Sequence, residues 1–77
     1  MTANKLPQIG KRYKLSYDIV GAVPRRSDIT VKAGDIVLVK GFNYYGSDIK
    51  IDMSLGPKQF NIFIDENDAF DHELIDE

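Results

Sequence analysis

The stretch Ile29 to Gly41, ITVKAGDIVLVKG, restricts the fold more than any other part of the chain. Two runs rich in β-branched residues flank Lys32-Ala33-Gly34-Asp35. Ile29 to Val31 reads as a short strand. Gly34 supplies the positive φ that a tight turn needs, and Asp35 can bond back to the local backbone. Ile36, Val37, Leu38 and Val39 are apolar without a break, which predicts a central strand covered on both faces. One apolar ribbon thus doubles back and provides two adjacent strands.

Such economy suits a chain of 77 residues with no cysteine. A domain of this length buries only roughly 60–65% of its unfolded surface. Neither a disulfide nor a cysteine-bound zinc can supplement its core. Residues 1–77 are read as one domain held by apolar packing, with 1–9 flexible at the polar, Pro7-containing start. No apolar run approaches the roughly 18 residues of a membrane span. MTANKLPQIGKRYKL lacks the apolar centre of a secretory signal. The expectation is a soluble, cytoplasmic protein with no membrane partner.

The other segments are also β-like. In KRYKLSYDIV, Tyr13, Leu15, Tyr17 and Ile19 alternate with polar residues, as in a strand with one wet face. GAVPRRSD is a loop with a basic tip at Arg25 and Arg26. GFNYYGSD, bracketed by Gly41 and Gly46, reads as a second loop. In IKIDMSL, Ile49, Ile51, Met53 and Leu55 share one face. After the turn GPK, QFNIFI places Phe60, Ile62 and Ile64 on one face and Phe63 on the other. In the tail, Phe70 and Leu74 stand four apart behind the capping residues Asp65 and Asn67, which predicts one helical turn docked on the barrel end.

Net charge is −2, but it is unevenly spread. Nine bases face four acids up to Lys50, and one base faces eight acids from Ile51 onward. The simplest expectation is that the two halves lie side by side and neutralise each other. The other is an interaction surface.

Five short strands with turns every five to ten residues predict an all-β fold, a small five-stranded barrel. DITVKAGDIVLVKG resembles the diverging turn of Src-homology-3 domains, with Ile29, Val31, Gly34, Asp35, Ile36 and Leu38 at the matching positions. KLSYDIV stands where that family has its tyrosine-containing first strand. Phe70 to Ile75 stands where it has a short 3₁₀ turn and a closing strand. The resemblance implies an SH3-like barrel. It does not imply polyproline binding. The chain has no tryptophan, GAVPRRSD is basic where the family's loop is acidic, and ENDAFDH replaces the family's Pro-Ser-Asn-Tyr.

Catalytic chemistry finds little support. His72 is the single histidine and reads as an exposed residue in an acidic turn. No serine sits in a nucleophile motif, and no glycine loop cradles phosphate. DENDAFDHE opens like a calcium loop but places Phe70 where that loop needs glycine. Asp68 and His72, four apart, are two ligands at most. Accordingly no enzyme activity, no cofactor and no metal site are expected.

The favoured function is a protein-binding module, an adaptor or a small inhibitor of the kind mobile elements and phages encode. Its partner is another protein or a second copy of the chain. The candidate contacts are Arg25 and Arg26 on one loop and Tyr44 and Tyr45 on the other, because exposed tyrosine and arginine anchor interfaces. The alternative is nucleic acid, with the basic residues tracking phosphates and the tyrosines stacking on bases. The negative net charge weighs against it.

Overall fold

The computed structural model describes residues 6–75. Seven strands follow one another: β1 (Arg12–Lys14), β2 (Ile19–Gly21), β3 (Ile29–Val31), β4 (Ile36–Tyr45), β5 (Asp48–Leu55), β6 (Lys58–Asp65) and β7 (Glu73–Leu74). Five form an antiparallel sheet in the order β6-β5-β4-β1-β7, and β2 and β3 form a separate hairpin. A single bridge, Ala22 to Asn61, ties the hairpin to β6. The fold is all-β as expected, but the hydrogen-bonded ladder does not close into a barrel.

The Gly34 turn forms. Asp35 N–H closes on the Lys32 carbonyl at 3.0 Å, and Gly34 has φ +94°, a value that side chains with a Cβ rarely adopt. Leu15 fastens this turn to the first strand: its N–H donates to Asp35 O and its carbonyl accepts from Gly34 N–H, both at 2.9 Å. Beyond it, β4, β5 and β6 form a meander joined by two-residue turns, with Tyr45 opposite Asp48 and Leu55 opposite Lys58.

The core is Tyr13, Leu15, Val31, Val37, Val39, Ile49, Ile51, Met53, Phe60 and Phe70. Register explains its layers. Val39, Met53 and Phe60 lie side by side across three strands, as do Phe42, Ile51 and Ile62. Period-two alternation then places every intervening residue on the outer face.

Several expectations are corrected. Strand β4 is not covered on both faces: Val37 and Val39 are fully buried, whereas Ile36 and Leu38 are 45% and 37% exposed. Among the described residues no second layer lies over that face. Nor is GFNYYGSD a loop. A register shift between Val39 and Gly41 absorbs Lys40, and pairing then resumes to Tyr45. The first strand breaks after Lys14, because Leu15, Ser16 and Asp18 take partners outside the sheet.

The C-terminal helical turn is absent. Asp65 instead caps a tight turn, accepting Asn67 N–H on its side chain and Asp68 N–H on its carbonyl, both at 2.8 Å. The chain then runs extended, with Phe70 and His72 buried and Asp71 and Glu73 exposed in alternation with them. Pairing of β7 with β1 satisfies backbone groups that one isolated helical turn would leave marginal. The flexible start is corrected in part. Pro7 is buried, Leu6 packs on the core, and Gln8 N–H donates to the Tyr13 hydroxyl at 2.8 Å; residues 1–5 lie outside the described residues.

Candidate functional site

Strands β2 and β6 meet at one point and then separate. Ala22 N–H donates to Asn61 O at 2.7 Å, and Asn61 N–H donates to Ala22 O at 3.0 Å. Past that bridge a groove of about 220 Å³ opens. Its floor is Ile19, Ile62 and Ile64, all partly buried, with the buried Phe70 and His72. Its walls are Tyr17, Val20, Phe63 and Ala69. Val20 is 63% exposed and Phe63 54%, a high value for an apolar pair flanking one opening.

The segment after β6 builds the far end of this groove. Four rings meet in sequence: Tyr13 and Phe70 edge to face at 5.0 Å, Phe70 and His72 edge to face at 4.8 Å, and His72 and Tyr17 tilted at 4.6 Å between centroids. Ser16 N–H donates to His72 Nδ1 at 3.0 Å. The imidazole is therefore neutral at Nδ1, and its burial lowers its pKa from 6.5, opposed in part by the negative charge of Asp71. The Tyr17 hydroxyl donates to Asp71 Oδ1 at 2.7 Å. That bond, then burial, then the charges of Asp71 and Asp68 push the phenol up to about 12.

The expected exposed His72 is thus a buried structural member, with Nδ1 taken by backbone. Among the described residues no three His, Asp or Glu side chains gather as a metal site. Among the described residues Lys32 pairs with Asp18 and Lys50 with Asp52, both at 3.9 Å. The Lys50–Asp52 pair and the register of Lys14 opposite Glu73 set bases of the first half beside acids of the second.

The structure does not assemble the four sequence candidates into one surface. Arg25 and Arg26 are exposed on the loop after β2, where Arg25 adopts φ 63°. Arg26 borders a depression of about 620 Å³ shared with Asp28 and Lys58. Val23, Ile29 and Pro57 line it beside these charges, whereas no charged side chain lines the smaller groove. Tyr44 and Tyr45 lie at the opposite end of the meander, beside Ile49 and Asp48. Lys58 pairs with Leu55, seven residues along β5 from Asp48, or about 23 Å at strand rise.

The two tyrosines also face opposite ways. Tyr44, 62% exposed, stands in register with Ile49 and Ile64 on the core side. Tyr45 is on the outer side, its ring 6.1 Å from that of Phe63 and 5.9 Å from Lys50 Nζ. Tyr45 alone extends the groove's apolar wall. Val20, Phe63 and His72 were not singled out as site residues. Phe63 was marked by its position opposite Ile62 and Ile64, and His72 by its spacing of two from Phe70.

A scan against protein-family models finds no match, and searches of curated proteins and of solved structures find none either.

Proposed function

We propose that this chain is a non-enzymatic protein-binding module, an adaptor or a small inhibitor, that takes its partner in the groove between β2 and β6. The observation that carries this reading is the apolar pair Val20 and Phe63, exposed on both sides of a cleft with an apolar floor. A thin-cored domain gains nothing in stability from leaving such groups in water. Tyr45 beside Phe63 adds an aromatic anchor of the kind interfaces favour.

We read the architecture as an open SH3-like barrel. The Gly34 turn supports this, as does β7 beside β1, in the position of that family's closing strand. Polyproline binding stays outside the proposal, for the sequence reasons given above.

The test is affinity capture from the source cell with the wild-type chain and with Val20→Asp plus Phe63→Asp, each with and without nuclease. Both substitutions are on exposed side chains and should leave the fold intact. A protein retained by wild type and lost from the variant supports the reading. Retention that depends on Arg25 and Arg26, disappears with nuclease and ignores the groove substitutions would replace it with nucleic-acid binding.

A further inference from the structure

The backbone at the mouth of the groove has a definite pattern, and so does the charge beside it. We infer that the groove receives an extended segment of the partner protein, added as a strand to the edge of β6, apolar against Phe63 and Val20 and flanked by lysine or arginine. This inference rests on the protein-binding reading above and specifies what the partner presents.

The backbone argument starts at Asn61, whose N–H and C=O both bond to Ala22. The β5–β6 register runs without a shift from Leu55–Lys58 to Asp48–Asp65. In an antiparallel ladder, outward-facing backbone groups recur at every second residue. Phe63 therefore turns its N–H and C=O to the same side as Asn61. By the same alternation on β2, Val20 turns its own toward β6. Continued pairing would join Val20 to Phe63, yet the strands are bridged only at Ala22 and Asn61. Unmade main-chain bonds on a strand edge are a template for a further strand.

Charge selects among strands. Asp65, Glu66, Asp68 and Asp71 follow directly from β6, and Asp48 stands opposite Asp65. Lys50, the base opposite Phe63, is itself paired with Asp52 at 3.9 Å. A segment emerging at this end meets an excess of acidic residues. Lysine and arginine are favoured there, and a polyphosphate backbone is repelled. Proline opposite Phe63 is excluded because it has no N–H to donate.

The experiment records amide spectra of the full chain during titration with three synthetic peptides. One alternates valine and threonine between lysines, the second replaces the lysines with glutamates, and the third is the lysine peptide N-methylated at its central residues. The expected result is shifts centred on Val20 and Phe63 and slowed exchange of the Phe63 amide. The lysine peptide should bind about tenfold more tightly than the glutamate peptide, as a few exposed ion pairs supply. N-methylation should abolish binding, and Glu66→Lys with Asp68→Lys should remove the lysine preference. Equal affinity for both flanks, survival of binding after N-methylation, or no shift at Val20 and Phe63 at millimolar lysine peptide would each overturn the inference. If a captured partner depends on Phe63 but leaves Phe63 amide exchange unchanged, the binding function stands and strand addition fails.

Discussion

Ser16 N–H donates to His72 Nδ1 at 3.0 Å across 56 positions of sequence. This bond joins the end of the first strand to the closing segment, and only an imidazole unprotonated at Nδ1 can accept it. Burial lowers the His72 pKa below its ordinary 6.5. The unfolded chain therefore binds the proton more readily than the folded one, so stability is fully present above the unfolded value and is lost as pH falls through the folded one. Melting temperature should therefore decline as pH falls below the ordinary histidine value of 6.5. His72→Asn, whose side-chain oxygen can accept from Ser16, should flatten that slope. An unchanged slope in the variant would assign the pH dependence elsewhere.

Tyr17 should ionise later than a free tyrosine. Its hydroxyl is held by Asp71, and its pKa is pushed up to about 12. Ultraviolet titration should show one delayed phenolate. Asp71→Asn removes both the charge and the acceptor strength, and should return that phenolate toward the ordinary 10.0. If all exposed tyrosines already titrate together in the wild type, the hydrogen bond is not kept in solution.

Phe70 and Leu74 should differ in weight. Phe70 is 6% exposed and meets both Tyr13 and His72 edge to face, so Phe70→Ala should cost about 3–5 kcal/mol. A domain of this size has only ~4–8 kcal/mol in total, which leaves the variant close to unfolding at room temperature. Leu74 is only partly buried, and Leu74→Ala should cost less, about 1–2 kcal/mol. Urea denaturation separates the two, and equal losses would contradict this packing.

Gly21 lies beneath the Phe60 ring. A Cβ at position 21 would come within 2.3 Å of Phe60 Cδ2, and Phe60 is itself buried at 3% exposure. Gly21→Ala should therefore destabilise by about 1–3 kcal/mol through overpacking. Phe60→Leu, costly alone, should cost less in the Gly21→Ala background, because the clashing edge of the ring is gone. A double-mutant cycle measures that coupling, and strict additivity would rule out the contact.

The meander was largely legible in the sequence. Ile49, Ile51 and Met53 alternate cleanly, and the turn residues at Gly46, Gly56 and Gly34 set the reversals. The extent of β4 was hidden because Gly41 looks like the start of a loop, whereas the register shift there lets pairing continue to Tyr45. Ile36 and Leu38 misled in another way, since an unbroken apolar run does not say whether a second layer exists to cover it. In the tail, Phe70 with Leu74 suggested period four and Phe70 with His72 suggested period two. Pairing with β1 decided between them, and β1 lies at the other end of the chain. The groove needed the divergence of β2 from β6, which no local pattern encodes.

The sheet order has a consequence for the order of events. Residues 36–65 form a contiguous meander with short turns, while Tyr13 and Leu74 pair although about sixty positions apart. Local hairpins close quickly, and distant strands join late because closure entropy must be met first. Phe70 and His72, the deep end of the groove, arrive only with that last step. A chain that has folded its hairpins but not yet docked its end exposes the β6 edge without the pocket that makes it selective. If the groove takes a strand as proposed, its recognition would report that folding has gone to completion, and opening of the closing segment would release the bound strand before the rest of the domain gives way.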